Sequence, residues 1–413
     1  MSLSSLSKSI ICMVLALNLG ACSYLLPNTS PNLGGLLAEK GDTRPFEVPL
    51  PVNTDPKRMA LGAMFTIGVK ADGTVWSWGA ESSGELGQGT FFITNPVPSR
   101  IPNMTDFVEV AAGNNHVLAL RKDGTVWSWG DNKKGQLGYK EDGYVLVNNV
   151  LNTKSYQSIQ TAPKQIPELK DVVSIAAGGN YSLALDKQGR VWGWGSELYL
   201  LGNHGNIKQP DPKVIYQHVD AIKIVANGTV GLGVLLKTGK VKLWSAADVY
   251  EPIFNDPVVD IAMSYSNTYF LLNTGRVYAL GSNISGELAQ RGDEELKNPK
   301  LIKQIGRIKK ISTYTALDEQ GRVWQWGKEA GLEIDTLFSG RNYYAQFYPS
   351  VMLSHKKITD VYCCTAALDA DGSVWFWGND TTGRRGNNQK SIDYRHQKKR
   401  DWTTPVRSLW TWK

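Results

Sequence analysis

Short apolar runs recur along this chain in pairs, each pair split by a tight polar turn. The octapeptide DGTVWSWG at residues 72–79 returns letter for letter at 123–130. Aligned on the turn glycine, seven units appear, at Gly73, Gly124, Gly189, Gly239, Gly275, Gly321 and Gly372. The intervals between them are 51, 65, 50, 36, 46 and 51 residues, the size of one sheet unit in a repeat protein. A run such as HVLALRKDG precedes each glycine, and one such as TVWSWG, RVWGWG or RVYALG follows it. Two strands joined by Asp-Gly or its equivalent are expected, because a hairpin turn needs the positive φ that glycine supplies. Within TVWSWG the period is two, so Val75 and Ser77 face one side of the sheet and Trp76 and Trp78 the other.

A hairpin apolar on both faces cannot bury itself. A stack of such sheets can, each covering the next. Seven units of this size suit a closed ring of blades, and the predicted fold class is all-β: a seven-bladed β-propeller of four-stranded antiparallel blades. The tryptophans become large spacers between blades. Helical repeats would need a 3.6-residue period, which is absent. The tail, TTPVRSLWTWK, is similar to TNPVPSRIP at the start of the second unit. It is expected to pair with the first blade and close the ring, removing exposed sheet edges.

Composition agrees. The chain has 413 residues, 42% hydrophobic, with 41 Gly and 14 Trp, so a core can form and turns are frequent. The N-terminus stands apart. Lys8 precedes an apolar run from Ile10 to Leu19, too short to span a bilayer. It ends in LGAC, which resembles the lipobox of bacterial lipoproteins. That resemblance implies a signal peptide over 1–21 and acylation of Cys22, giving membrane attachment through a lipid anchor. The expected location is the bacterial cell envelope, with the outer membrane favoured because Ser23, and not Asp, follows the cysteine. Residues 22–45, rich in Pro, Asn, Ser and Gly, read as a tether, leaving 46–413 for the propeller.

The units carry further signals: GELGQG at 84–89, GQLG at 135–138, GELA at 286–289, and VEVAAGNNHVLAL and VSIAAGGNYSLAL ahead of two hairpins. Together these resemble the regulator of chromosome condensation repeat, from about residue 46 to the C-terminus. The resemblance implies seven blades of four antiparallel strands. Units 6 and 7 depart from it, lacking the AAGxxH loop, and are expected to be pared down there. Ser245 replaces a recurrent glycine and Leu280 a recurrent tryptophan. The long second interval places an insertion at 140–164.

Catalytic chemistry is hard to find. His116, His204, His218, His355 and His396 show no metal spacing, and no nucleophile or phosphate-loop motif occurs. No catalytic, cofactor-binding or metal-binding residue is assigned, and no enzyme activity or cofactor is expected. His116 reads as a brace for a blade turn. Cys363 and Cys364 read as two small strand residues facing opposite ways, or as a vicinal or intermolecular disulfide.

Charge is the remaining signal, net +7 from 45 basic and 38 acidic residues. It gathers in KLIKQIGRIKK at 300–310 and in GRRGNNQKSIDYRHQKKR at 383–400. From the second stretch Arg384, Arg385, Arg395, Lys398, Lys399 and Arg400, with Trp402, are the candidate partner-binding residues. They would meet an acidic protein or an anionic envelope polymer. Nucleic acid is not expected for an exported chain.

The function read from these features is a non-enzymatic, lipid-anchored scaffold that binds a protein partner through propeller loops. The resembled family includes a nucleotide exchange factor and a secreted β-lactamase inhibitor, both acting by protein contact. An alternative is a glycan-binding propeller with Trp402, Trp410 or Tyr343 and Tyr344 as stacking platforms. A hydrolase is more remote. The segments that do not repeat, 140–164, 331–349 and 379–402, are the expected sites of partner recognition.

Overall fold

The computed structural model describes residues 49–140, 145–148, 154–196, 209–226, 231–245, 249–284, 286–292, 295–328, 345–354, 356–362, 365–378, 382–388 and 405–413. Among them there is no helix. Seven four-stranded antiparallel sheets follow one another along the chain, spanning 59–100, 107–165, 172–217, 221–250, 258–301, 308–353 and 358–411. In every sheet the strands lie in chain order, from an inner strand to an outer one. This is a seven-bladed β-propeller, and the sheets are its blades.

Each turn glycine joins the second strand of its blade to the third. The seven have φ between 73° and 90°, where a Cβ would strain the backbone. Four of them also bond to the first strand of the next blade. The Gly73 carbonyl accepts the N–H of Phe107 at the start of blade 2, and Gly124, Gly239 and Gly275 do the same for Val172, Val258 and Ile308. A side chain on Gly73 would stand 2.9 Å from the Asp106 nitrogen.

The two tryptophans of each motif share a face but differ in depth. Trp78, Trp129, Trp194 and Trp326 are fully buried between blades. The preceding tryptophans of the motif, such as Trp76 and Trp192, sit half-buried with a cation over the ring. Burying an indole of this size removes on the order of 200 Å2 from water, worth roughly 5 kcal/mol each by area.

Three expectations are corrected. The tail strand, Val406–Thr411, pairs with Ser373–Phe376 and is the outer strand of blade 7, not a strand of blade 1. Blade 7 would otherwise have only three strands. The ring closes by packing: Trp410 lies 5.5 Å from Trp78 and covers Gly68, and the Ala71 N–H reaches the Trp412 carbonyl. The insertion in blade 2 is shorter than 140–164, because Ile159–Gln165 is that blade's own outer strand. The extra residues carry a two-stranded ribbon of Val145–Asn148 and Lys154–Gln157. Trp410, a stacking platform in the glycan reading, is buried and offers no face to a sugar. Blade 6 is pared down: Thr313 and Tyr314 alone join its first two strands.

Candidate functional site

The blade topology gives the ring two unlike faces. One carries the seven glycine turns and the links from each outer strand to the next blade; it is called the turn face below. The opposite, or loop, face carries the AAGNN-type loops and every connection from a third strand to an outer strand. Three of these connections are long. They leave at Asp131, Lys328 and Phe376 and return at Ile159, Ala345 and Val406. The described ends of the three segments singled out for partner recognition therefore lie at one face. Phe92 and Ile284, both well exposed, stand on that face in shorter connections of the same kind.

Behind the loops lies a central cavity of about 580 Å3, lined by the inner strands of all seven blades. Tyr265 of blade 5 reaches across it, its hydroxyl donating to Asn114 Oδ1 of blade 2 at 2.8 Å. At the turn face the cavity meets a strap, residues 49–58, that runs from blade 5 to blade 1. Leu50 N–H donates to Asn273 O, and Asn53 N–H to Val259 O; the Val110 N–H donates to Lys57 O.

Under the strap the third residue of each inner strand forms a belt of mostly charged groups. The series from blade 2 to blade 7 is Glu109, Ser174, Lys223, Asp260, Lys310 and Asp360. A β-bulge precedes each one and re-aims its side chain. Lys223 Nζ lies 2.5 Å from Asp260 Oδ1, and Asp260 Oδ2 accepts Asn53 Nδ2 at 2.6 Å. Lys310 bridges Asp55 of the strap and Asp360. Burial lowers the affinity of Lys310 for its proton, but Asp360 and Asp55 outweigh it and raise the pKa. Burial pushes Glu109 up to about 7, against the pull of Lys57 and Lys223. These groups pin the strap. They neutralise one another, which suits structure better than general acid or base work.

The joints between blades reveal a second pattern. Trp129 Nε1 donates to the Glu85 carbonyl of blade 1, Trp194 to Gln136 of blade 2 and Trp326 to Glu287 of blade 5. Each acceptor is the second residue of a GxLG loop, GELG, GQLG or GELA. Trp78 makes the same bond to the Arg384 carbonyl at 2.6 Å, joining blade 1 to blade 7. GRRG at 383–386 is therefore the GxLG loop of blade 7. Its glycines have φ of 74° and 61°, as Gly84 and Gly87 have 82° and 66°.

Charge alone groups Arg384 and Arg385 with a partner-binding patch, but the structure draws both inward. Arg385 occupies the place of the buried Leu86 and Leu137, and is itself 6% exposed. Arg384 turns inward, donating from one guanidinium nitrogen to Gly62 O and Ala63 O at 3.2 Å. The G-x-x-G spacing after SVWFWG was the available signal, hidden by the two charges. Arg395, Lys398, Lys399, Arg400 and Trp402 lie outside the described residues, as do Cys22, Tyr343, Tyr344, Cys363 and Cys364. The 300–310 run sits on the turn face, so the structure does not merge it with GRRG.

His116 is wholly buried and spans the joint between blades 2 and 3. Its Nε2 meets Ser182 Oγ at 2.9 Å, and that hydroxyl donates to the Gln136 carbonyl at 2.8 Å. The Nε2–H is thus the donor, and the ring is neutral. Burial lowers its pKa to about 3. It holds two blades together and faces no open site.

The description of the regulator of chromosome condensation (RCC1) repeat matches residues 72–120 and 123–185, and a second model of the repeat matches 107–136 and 172–199. The chain is a seven-bladed β-propeller that carries RCC1 repeats over residues 72–199. The probable E3 ubiquitin-protein ligase HERC6 of Homo sapiens is similar, 28% identical over 286 residues, 66% of this chain and 23% of the ligase. The chain thus spans under a quarter of that relative's length. Among solved structures, yeast RCC1 (Prp20) bound to Kap60 superposes with a TM-score of 0.63 at 19% identity, covering 92% of this chain and 91% of that one. Prp20p of Saccharomyces cerevisiae, described with its binding to Gsp1p and histones, gives 0.61 at 20% identity, covering 87% of each chain. At that identity the likeness shows the fold.

Proposed function

We propose that this protein is a non-enzymatic scaffold that binds a protein partner through its loop face. The observation that carries this is topological. All three long connections depart from one face of a rigid ring, next to exposed Phe92 and Ile284, and a broad face of variable loops on a fixed frame suits recognition. The RCC1 propellers of similar fold support the reading, since those structures record binding to Kap60, Gsp1p and histones. The cavity favours no hydrolase, because its buried acids and bases are committed to the strap. With the lipobox-like LGAC, we place the scaffold at a bacterial envelope, anchored through acylated Cys22.

The test is capture on the immobilised full chain from solubilised envelope of the source organism. A variant with the blade 2 connection trimmed between Asp131 and Ile159 is run beside it, with a second trimmed between Lys328 and Ala345. A discrete protein held by the wild type and lost from either variant is the expected result. Equal retention by all three removes the loop face as the site. Retention of polysaccharide alone transfers the function to glycan binding. The mass of the N-terminal peptide, and membrane fractionation of Cys22→Ser, check the anchor separately.

A further inference from the structure

The turn face has a composition that the scaffold reading leaves unused. At the turns of blades 2 and 3 its charges are matched. Asp106 pairs with Lys122 and Arg121, and Asp171 with Lys187. From blade 4 to blade 7 the balance changes. Lys237 and Lys240 flank the turn of blade 4, Lys300 lies at the end of the outer strand of blade 5, Lys303 on the link from there to blade 6, and Lys357 on the link to blade 7. All five are exposed, and none makes an ion pair among the described residues. The acids of blade 6 are consumed locally: Glu319 pairs with Arg307, and Asp318 with Arg322.

Two aliphatic side chains project from the same sector. Ile253, on the link after blade 4, is 95% exposed, and Val219, on the link after blade 3, is 85% exposed. Both stand beside glycine turns. The His218 N–H donates to Gly189 O, and Pro257, at the end of the Ile253 link, covers Gly239. Among the described residues no packing accounts for them.

A third observation is where the chain enters the fold. Leu50 bonds to Asn273 in the turn of blade 5. Two residues further round that turn, Gly275 accepts Ile308 at the end of the lysine-bearing link. Leu50 and Val52 pack on the cluster containing Ile302 and Ile305. The described chain therefore begins, at residues 49 and 50, on the turn face beside these lysines.

We propose that the turn face from blade 3 to blade 7 docks on an anionic bilayer surface. The lysines meet lipid phosphates, Ile253 and Val219 enter the headgroup boundary, and the loop face is turned away from the membrane. A basic sector with a few apolar projections is what an interfacial surface requires, and each lysine adds a modest, salt-screened attraction. One anchor plus a basic surface gives the two signals that stable attachment uses. This rests on the anchored-scaffold reading for its setting, but the surface can be tested without the anchor.

The test uses the full chain as Cys22→Ser, which has no thiol to acylate at that position. It is sedimented with vesicles of phosphatidylcholine alone, or with about one-third phosphatidylglycerol. Binding to the anionic vesicles is expected to be at least about ten-fold tighter, and to weaken in high salt. The triple variant Lys300→Glu, Lys303→Glu, Lys357→Glu should lose most of that preference with an unchanged melting temperature, and Ile253→Asp a smaller part. Because every variant retains the same N-terminal segment, differences among them report the propeller surface. Lysine acetylation read by mass spectrometry should find Lys237, Lys300, Lys303 and Lys357 protected by anionic vesicles, and Lys133 on the loop face unprotected. Equal binding to both vesicle types, no effect of the triple variant, or protection of Lys133 alone would overturn the proposal. So would protection by soluble polyglutamate but not by vesicles, which would assign the surface to an acidic polymer. Acylation of the wild type is read independently from its N-terminal mass, so the anchor can fail while the surface stands, and the reverse.

Discussion

The joint between blades 2 and 3 and the joint that closes the ring do the same work with different residues. At the first, GQLG presents the Gln136 carbonyl to Trp194 Nε1 and Ser182 Oγ. At the second, GRRG presents the Arg384 carbonyl to Trp78 Nε1 and Thr66 Oγ1. The acceptor is main chain in both. What the joint needs is a loop that aims one carbonyl, and this comes from two residues at positive φ. The residues between them are free to change, from Gln-Leu to Arg-Arg. The joints differ in their bracing: His116 supports the first, whereas the guanidinium of Arg384 supports the second.

The largest effects should come from the indoles. Trp194→Ala and Trp78→Ala each remove a fully buried ring and one of the two hydrogen bonds to the loop carbonyl, costing about 3–5 kcal/mol. If the joints are equivalent, urea unfolding will give similar losses for both. A much smaller loss for Trp78→Ala would show that closure contributes little to the stability of the ring.

Acid should separate blade 2 from the closure. His116 is neutral when folded, with its pKa depressed from 6.5 to about 3. The unfolded chain binds the extra proton between those values, so this contribution is present above about 6.5 and fades as pH falls. The ceiling is about 1.4 kcal/mol per pH unit. Glu109 in the same blade has the opposite sign. Its pKa is raised from 4.5 to about 7, so its contribution is full below 4.5 and fades as pH rises through 7. The two oppose each other between about 4.5 and 6.5. Relative to wild type, His116→Phe should therefore lose stability as pH rises across that window. Glu109→Gln should lose it as pH falls. Unfolding midpoints at the two ends of the window decide, and parallel curves would refute the assignment.

The glycines come next. Gly138→Ala and Gly386→Ala would each put a Cβ 2.9 Å from the indole nitrogen, at φ of 82° and 61°. Each should cost about 1–3 kcal/mol in thermal unfolding. Blade 5 already carries Ala289 at this place, with φ of 57°. Ala289→Gly should be the smallest change, a gain of under about 1 kcal/mol, partly offset by greater freedom in the unfolded chain. A loss would mean that the Ala289 methyl packs usefully.

These residues also show what could be read in the sequence. The hairpins were legible because Asp-Gly and alternating Val and Trp carry their geometry locally. GRRG was not, because composition drew the eye to charge while its G-x-x-G spacing was the structural signal. The partner of the tail strand was ambiguous, since the similarity of TTPVRSLWTWK to TNPVPSRIP marks an outer strand without saying of which blade. The belt of Glu109, Lys223, Asp260, Lys310 and Asp360 was invisible, because only a bulge in each inner strand turns those positions together. The strap was equally hidden, since its hold on the ring consists of main-chain bonds and a few charges spread over five blades.

The order of strands within blades has a kinetic consequence. Every blade is made of consecutive segments, so its hydrogen bonds connect residues close in the chain. Joints between consecutive blades are also local: Trp194 and Gln136 are 58 residues apart. Trp78 and Arg384 are separated by 306. Bringing that pair together from an open chain costs about 1.5 kcal/mol more in loop entropy. The seam between the last blade and the first should thus form after the others. An arc of finished blades, with one bare edge at each end, is the species to seek early in refolding.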